Sequence, residues 1–441
     1  QANGSPFQRL LPVPCKEATQ ETVCLAHSVD YYRRMSELPN ISDRDLKRLN
    51  ALDDDLYYCR DTFLAASLAV GGCVACVDAV TAPDTKTNCG IAVVRPPGHH
   101  AEKSHSMGFC FFNNVAIAAK HAIATGRANR VFILDWDIHH GNGIQNLTYD
   151  DPDIFYLSIH RGPGGIGCEE ADGGGTKDKK KKKKPRHRVE DPQSYFYPGT
   201  GRFDETGSNE GVGSNLNISW GRQGMGNVEY AAAFAEVVLP VMQDFSPDLI
   251  LVACGLDAAA GDLLGDCGLT PEMYYIMTSS LMQTTGHTVP IVAILEGGYQ
   301  LDVISDCMEA VALAFMDEPW EGSKITERDI ERSLSRYWHH QLMETKSNAR
   351  AAAAQTSSQS ASAAALFHAV STIKQAAKAL AFSKSPLGAY NCIQSPNGFV
   401  CLHCTGNCKK RRLNLMDSDQ YPMKKQILVR SSANRKHDSG C

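Results

Sequence analysis

Short apolar runs alternate with longer amphipathic segments over most of the chain. The runs cover residues 89–94, 130–137, 154–160, 214–220, 248–254 and 290–295. Such runs are typical of strands that are buried on both faces of a sheet. The segments 111–124, 228–245, 271–282 and 301–315 carry apolar side chains at helical spacing. This alternation predicts an α/β fold, a mostly parallel sheet with helices on both faces.

Polar clusters follow four of the predicted strands. They are RPPGHH at 95–100, DWDIHHGNG at 135–143, CGLD at 254–257 and EGGY at 296–299. In open parallel sheets the ligand site lies beyond the carboxyl ends of the strands. We therefore expect these clusters to meet at one edge of the sheet and to form an active site there.

Asp137 and His139 have the spacing of metal ligands at a strand end, because alternate strand residues point the same way. With Asp257 they would supply two oxygens and one nitrogen, a set that suits Zn²⁺ or Fe²⁺ with one open position. Such a site favours hydrolysis. A strand cap for the Asp-x-His pair, and a helix N-cap for Asp257, remain the structural alternatives.

The adjacent His99 and His100 are candidates for proton transfer. An Asp behind one imidazole favours the protonated ring, whereas an amide behind the other does not. With Asp135 and Asn142 as these partners, the two pKa values are expected to differ. Tyr299 follows two glycines and could donate a hydrogen bond to an oxyanion, although an ordinary turn explains the glycines equally well.

Composition narrows the class of protein. The chain has 441 residues, 43% of them hydrophobic, and a formal net charge of −5. This charge favours neither wholesale nucleic-acid binding nor adhesion to membranes. The 16 cysteines are scattered through apparent core segments, which favours a reducing compartment. No apolar run is expected to reach the length of a membrane span.

The predicted domain occupies residues 1–345 and closes with a helix at 325–343. Because residue 1 is Gln, we expect an N-terminal part to be missing. Residues 346–441 are rich in Ala, Ser and Gln, which predicts a low-complexity, largely disordered tail. Its cysteines 392, 401, 404 and 408 could form a zinc knuckle, but free thiols are the favoured interpretation. The basic segment 409–412 is a candidate nuclear-import patch.

A basic insert is predicted at about residues 162–194, with consecutive lysines at 179–184. Such a run is typical of a solvated loop or an import signal. Because the insert leads into residue 197, we expect it at the rim of the site. Attraction of acidic proteins or nucleosomal DNA is the weaker alternative.

Six motifs together resemble the catalytic domain of the histone deacetylase family, nearest to class II. They are RPPGHHAE (95–102), GFCFFNNVAIAA (108–119), ILDWDIHHGNG (133–143), YLSIHR (156–161), FYPGTG (196–201) and LEGGY (295–299). They occur in this order, and the similarity extends from about residue 9 to about residue 345. The resemblance implies an arginase-deacetylase fold with the active site at the carboxyl ends of the strands.

The resemblance also implies the cofactors and the catalytic groups. One Zn²⁺ would be held by Asp137, His139 and Asp257. His99 and His100 together would form the pair of general base and general acid, oriented by Asp135 and Asn142, with Tyr299 assisting at the carbonyl. A structural K⁺ is implied near Asp135, Asp137, His139, Ser158 and Ile159.

On the substrate side, Phe109 and Tyr197 match the two aromatic walls of the acetyl-lysine tunnel, with Gly108 beside them. Two facing rings enclose an aliphatic chain and leave no room for a bulky branched acyl group. Tyr197 stands where Phe is usual, which could alter acyl preference. Leu264 matches the position of the acidic gatekeeper in polyamine-deacetylating relatives, and its apolar side chain favours protein substrates.

These features predict a zinc-dependent lysine deacetylase that acts on acetylated proteins such as histones and releases acetate. An acetylpolyamine amidohydrolase and an acetyl-lysine-binding scaffold with vestigial activity are the alternatives. We expect corepressor-type complexes as partners, no membrane, and no sequence-specific nucleic-acid binding. The expected location is the nucleus, the cytoplasm or both.

Overall fold

A computed structural model describes residues 6–52, 55–85, 87–162, 196–221 and 223–320, together with three short strands nearer the C-terminus. The strands are β1 (Leu11–Pro12), β2 (Cys89–Val93), β3 (Val131–Asp135), β4 (Ile154–Arg161), β5 (Asn215–Trp220), β6 (Leu249–Cys254), β7 (Ile291–Leu295), β8 (Cys392–Ser395), β9 (Gly398–Cys401) and β10 (Gln426–Arg430). The helices are α1 (Gln20–Val23), α2 (Val29–Ser36), α3 (Asp43–Leu49), α4 (Thr62–Thr81), α5 (Asn114–Ala124), α6 (Asn142–Thr148), α7 (Asn227–Ala233), α8 (Leu239–Phe245), α9 (Pro271–Thr284) and α10 (Leu301–Phe315).

The central sheet is parallel throughout. Its strand order is β1-β10-β2-β7-β6-β3-β4-β5, and β8 pairs with β9 in a separate antiparallel hairpin. The six strands from β2 to β5 in this order are the six that the apolar runs predict. The predicted α/β class with a parallel sheet is confirmed.

Two apolar cores cover the two faces of the sheet. Along β3, Phe132 and Leu134 belong to one core, whereas Val131 and Ile133 belong to the other. The first core is shared with helices α7 to α10, and the second with α4, α5 and α6. Because both faces are buried, β3 is apolar at its first four positions, and its polar residues begin at its last residue, Asp135.

The expectation that no apolar run reaches membrane-span length is wrong for α4. Among the described residues, this 20-residue helix is long and apolar enough to cross a membrane by length and composition. In the fold it packs on both sides. Cys73 and Val77 contact the core under the sheet, while Ala66 and Val70 contact a layer formed by the N-terminal segment. Burial on two sides explains why the helix is apolar all round.

The N-terminal helices α1 to α3, which the sequence analysis does not predict, are short, with four, eight and seven residues. Their starts are set by side-chain caps. The Ser28 hydroxyl accepts the Tyr31 N–H at 3.2 Å, and the Ser42 hydroxyl accepts the Asp45 N–H at 3.1 Å. Such caps satisfy backbone donors that a helix start leaves free.

Several sequence predictions rest on residues outside the described ones. They are the closing helix at 325–343, the basic insert beyond residue 162, the boundary near residue 345, the possible knuckle, which needs residues 404 and 408, and the patch at 409–412. The division into a domain and a tail therefore stays a prediction.

Candidate active site

The loop after β3 carries the polar residues that open the site. Its backbone is held by the carboxylates themselves. The Asp137 N–H donates to Asp135 Oδ1 at 3.2 Å, and the His139 N–H donates to Asp137 Oδ1 at 2.8 Å. Asp257, which follows β6, accepts the Ile138 N–H at 2.9 Å. These bonds fix the loop so that Asp137, His139 and Asp257 converge.

Among the described residues, the three converging side chains form the one group that could hold a metal ion. One ligand atom from each of Asp137, His139 and Asp257 lies within 4.8 Å of the other two, and all three residues are buried. His139 Nδ1 lies 2.9 Å from Asp257 Oδ2 and 3.2 Å from Asp137 Oδ1. Two carboxylates and one imidazole suit a borderline divalent cation such as Zn²⁺.

Two glycines leave the space that the carboxylates occupy. A Cβ on Gly255 would lie 2.2 Å from Asp137 Oδ2, and a Cβ on Gly297 would lie 2.5 Å from Asp257 Oδ2. The Gly297 N–H also donates to Asp137 Oδ2 at 2.8 Å. The loops after β6 and β7 are therefore shaped around the cluster.

The cluster attracts positive charge. Burial lowers the pKa of His139, but hydrogen bonds with Asp137 and Asp257 outweigh this effect and raise the pKa to about 9. Burial also raises the pKa of Asp257, together with the charge of Asp137, to about 7. Burial acts in the same sense on Asp137, but His99 and His139 hold its pKa below the ordinary range. Two carboxylates in one dry site need a cation or a proton between them.

His99 is the charged member of the histidine pair. Its Nδ1–H donates to Asp135 Oδ2 at 3.3 Å, and the Tyr156 hydroxyl donates to the same oxygen at 2.9 Å. Burial lowers the pKa of His99, but Asp137 and Asp135 reverse this effect and raise it to about 10. The imidazole is therefore protonated at neutral pH.

His100 is the neutral member. Its Nδ1 lies 2.8 Å from Asn142 Oδ1. The Asn142 amide N–H₂ donates to Glu102 Oε1 at 2.6 Å, which turns the amide oxygen toward His100. His100 therefore carries its proton on Nδ1 and leaves Nε2 free to accept one. Burial and the charges of His99 and His139 hold its pKa well below the ordinary value.

Glu296 was missed by the sequence reasoning, although it belongs to the LEGGY motif. Its Oε2 accepts the N–H groups of Gly98 and His99 at 2.7 and 3.0 Å, which fixes the turn that carries both histidines. Burial raises the pKa of this carboxyl to about 7. The sequence feature that could have indicated this role is a charged residue directly after a buried strand. A carboxylate that is buried there needs hydrogen-bond donors, and backbone N–H groups supply them.

A second buried histidine pair lies beside the cluster, and both members are neutral. His140 Nδ1 lies 2.8 Å from the Thr200 hydroxyl, and the His160 Nε2–H donates to the Gly201 carbonyl at 2.9 Å. Burial lowers the pKa of both rings, that of His160 to about 4. These contacts join the loop that carries Tyr197 to the strands below it.

Tyr299 lies on the open side of the cluster. Its N–H donates to Asp262 Oδ2 at 2.7 Å, and its ring centre is 6.2 Å from that of His139 and 6.1 Å from that of Phe109. Burial and the charges of Asp257 and Asp137 raise the pKa of the phenol. Tyr299 therefore stays protonated and can donate a hydrogen bond.

The two residues predicted as tunnel walls lie near the cluster. Tyr197 lies edge-on to His100 with ring centres 5.1 Å apart, and Phe109 is 45% exposed. Gly108 lies between His100 and Tyr197, where a Cβ would be 2.5 Å from His100 Cδ2. Leu264 is 45% exposed, and its N–H donates to Asp262 Oδ1 at 2.8 Å. Asp262 therefore connects the Leu264 loop to Tyr299, which the sequence reasoning missed.

Three of the residues proposed for K⁺ lie on neighbouring strands, and Asp137 and His139 follow in the loop after β3. Asp135 of β3 is paired in register with Ser158 of β4, and Ile159 is the next residue. The Ser158 hydroxyl donates to His160 Nδ1 at 2.7 Å. The structure brings these residues together, and a cation among them stays a prediction.

The fold and site define an α/β protein with a parallel sheet and a buried Asp-His-Asp cluster at the strand ends, and this cluster could hold a metal ion. Within that class the chain belongs to the histone deacetylase family. The family model "Histone deacetylase domain" matches residues 2–184 and 186–315. The resemblance to class II is confirmed.

Three relatives illustrate the similarity. Histone deacetylase clr3 of Schizosaccharomyces pombe is 40% identical over 71% of this chain and 42% of its own length. Polyamine deacetylase HDAC10 of Homo sapiens is 36% identical over 71% of this chain and 42% of its own length. The crystal structure of the HDA15 HD domain superposes with a TM-score of 0.59 at 34% identity, covering 75% of this chain and 82% of that one. The chain thus spans about two fifths of the length of these curated relatives.

Proposed function

We propose that this protein is a zinc-dependent deacetylase that hydrolyses Nε-acetyl-lysine in proteins and releases acetate. The observation that carries the proposal is the buried Asp137, His139 and Asp257 cluster, with His99 and His100 poised in opposite charge states beside it. Hydrolysis of an amide needs a group that accepts a proton and a group that donates one. Relatives that are named histone deacetylases support the choice of substrate.

The residues present fit Zn²⁺. Three buried donors would hold the ion and leave a position open, and Gly255 and Gly297 provide the space. The histone deacetylase family is zinc-dependent. When bound in such a site, Zn²⁺ acts as a Lewis acid that polarises an amide carbonyl and acidifies water.

The two histidines divide the proton transfers. His100 has a free Nε2 and accepts a proton from the attacking water, because Asn142 holds the other nitrogen as a donor. His99, held as an imidazolium by Asp135, donates a proton to the departing lysine amine. Tyr299 donates its phenol hydrogen to the oxygen of the carbonyl, where negative charge develops during attack.

Phe109 and Tyr197 would enclose the aliphatic chain of the acetylated lysine, with Gly108 leaving room between them. The apolar, half-exposed Leu264 gives no anchor for a second ammonium group. This favours protein substrates over acetylpolyamines, the substrate class in the name of one relative. The competent set of catalytic groups argues against a binding scaffold with vestigial activity.

Further assignments complete the proposal. A structural K⁺ would lie near Asp135, Asp137, His139, Ser158 and Ile159. Acetylated proteins such as histones are the proposed partners, in corepressor-type complexes in the nucleus, the cytoplasm or both. Ten of the cysteines among the described residues, from Cys15 to Cys307, are free thiols, which supports a reducing compartment.

A panel of acylated substrates tests the function. We expect the zinc-loaded protein to hydrolyse acetyl-lysine peptides, to lose turnover with a zinc chelator, and to regain it when Zn²⁺ is restored. N-acetylputrescine is the competing substrate, and a strong preference for it would reject the choice of protein substrates. Tight binding of acetyl-lysine peptide by metal-loaded protein without turnover would support the scaffold instead.

A further inference from the structure

Tyr197 makes a contact through its hydroxyl that a phenylalanine could not make. The hydroxyl donates to Asp55 Oδ2 at 2.9 Å. Asp55 lies well before α4 in the chain, in a segment to which the sequence reasoning gave no role. The contact therefore joins one tunnel wall to a distant part of the sequence.

Asp55 also holds the other wall. The Gly108 N–H donates to the same oxygen, Asp55 Oδ2, at 3.2 Å. The Phe109 N–H donates to the main-chain carbonyl of Asp55 at 3.2 Å. One residue thus contacts both Tyr197 and the backbone that carries Phe109.

The backbone of this wall needs such a partner. Gly108 and Phe109 have φ angles of +55° and +64°, in the left-handed region that residues other than glycine rarely adopt. A Cβ on Gly108 would lie 2.8 Å from the Tyr197 hydroxyl oxygen. The two walls therefore meet closely here, with the Asp55 carboxylate between their hydrogen-bond donors.

We propose that the Asp55–Tyr197 hydrogen bond is a brace that fixes the width of the tunnel and so determines which acyl groups enter. This inference rests on the proposed deacylation of lysine at the same site. In the proposed reaction the acyl group passes between Phe109 and Tyr197 on its way to Asp137, His139 and Asp257. A ring held by a hydrogen bond to a carboxylate cannot swing aside, since such bonds are among the stronger ones in proteins.

The first test compares branched and linear acyl groups. The substrates are an isobutyryl-lysine and an acetyl-lysine peptide of one sequence, and the measured quantity is the ratio of their kcat/KM values. We expect Tyr197→Phe to raise this ratio about tenfold in favour of isobutyryl. This is the low end of the discrimination that an apolar pocket achieves for one extra methylene. Tyr57→Phe is the matched control, because it removes a hydroxyl two residues from Asp55 on a side chain that is 76% exposed.

A double-variant cycle shows whether the two residues act together. Asp55→Ala should raise the ratio as Tyr197→Phe does, and the double variant should raise it no further. Effects that multiply in the double variant, or a wild-type ratio in Tyr197→Phe, would overturn the brace.

A second readout does not depend on activity. Hydrogen exchange of the Gly108 amide reports on its bond to Asp55. We expect several-fold faster exchange in Asp55→Ala and in Tyr197→Phe, and no change in Tyr57→Phe. If the wild-type protein hydrolyses no acyl-lysine peptide, the proposed function is wrong. The exchange measurement still tests the brace in that case, because unchanged exchange of the Gly108 amide in Tyr197→Phe would reject it.

Discussion

The floor and the rim of the candidate site are built in different ways. The floor consists of His99, His100, Asp135, Asp137, His139 and Asp257, all of them buried. The rim consists of Asp55, Gly108, Phe109, Tyr197 and Leu264. The floor residues lie at or just beyond the carboxyl ends of strands that are hydrogen-bonded to each other in the sheet. For example, β3 pairs with β6, with Asp135 opposite Ala253. Rim residues come from separate loops that are joined by a few hydrogen bonds, among them those to Asp55 and Asp262.

This difference indicates which part of the site fixes the geometry of the catalytic groups and which part selects the substrate. Strand register places the floor groups, so their spacing is fixed by the whole sheet. A change in the floor should therefore abolish the chemistry, whereas a change in the rim should alter the choice of substrate. The following variants test this division.

Gly255→Ala should have the largest effect. The new Cβ would lie 2.2 Å from Asp137 Oδ2 and 2.5 Å from Asp137 Cβ, so the proposed metal ligand must move. We expect loss of bound zinc and a fall in kcat/KM of at least about 10³-fold, because a metal Lewis acid is worth several kcal/mol. Metal content by mass spectrometry and turnover of an acetyl-lysine peptide measure the two effects.

Gly268→Ala is the matched control for this variant. Its nearest neighbour would be the Met225 carbonyl oxygen at 3.8 Å, an ordinary contact. It should keep zinc and turnover. Full zinc content in Gly255→Ala would show that zinc binding tolerates a displaced Asp137. The expectation that the floor is less tolerant of change than the rim would then be wrong.

Tyr299→Phe should retain zinc but lower kcat about 10²-fold or more, as the loss of an oxyanion donor does. The phenol lies at the border between floor and rim, since its ring is near both His139 and Phe109. A raised KM with unchanged kcat would instead make Tyr299 a rim residue that only binds substrate.

The sequence predicts the floor well because each group follows an apolar strand, and neighbouring parallel strands end at one edge. In the rim, the motif resemblance supplies Gly108, Phe109, Tyr197 and Leu264. It does not supply Asp55, because nothing local to Asp55 indicates that its side chain reaches Tyr197, 142 residues later. Glu296 shows an intermediate case. Its place after β7 is evident from the apolar pattern, but its two bonds to Gly98 and His99 need the pairing of β2 with β7.

Acid should loosen the connection between floor and rim through His160. Burial lowers the pKa of this ring to about 4 from its ordinary 6.5. Above about pH 6.5 the ring is neutral in both states, and stability is full. As the pH falls from 6.5 toward 4, the unfolded chain takes up a proton that the folded chain excludes, so stability is lost. One such group accounts for up to about 3 kcal/mol.

Urea unfolding at pH 7, 5.5 and 4.5 measures this loss. In His160→Gln the amide can still donate to the Gly201 carbonyl and accept from Ser158, but it does not titrate. We expect a smaller decrease in the free energy of unfolding between pH 7 and pH 4.5 than in the wild type. Parallel curves for the two proteins would show that His160 does not contribute.

Leu264→Glu should have the smallest effect, confined to substrate choice at the rim. The side chain is 45% exposed, and its loop is held by Asp262. A carboxylate there could pair with the free ammonium group of an acetylpolyamine, and exposed ion pairs contribute about 0.2–1 kcal/mol. The ratio of kcat/KM for N-acetylputrescine over acetyl-lysine peptide should therefore rise by about fivefold at most.

Leu263→Glu separates a local anchor from a general effect of charge. The two variants have the same net charge, and Leu263 is 68% exposed on the same loop. A local anchor predicts that only Leu264→Glu changes the ratio and that the gain declines as salt screens the pair. An equal rise of the ratio in both variants would mean that the added negative charge attracts amines from either position. Leu264 would then have no particular role in excluding polyamines. A gain far above fivefold would require a desolvated pair, which would place Leu264 with the floor rather than with the rim.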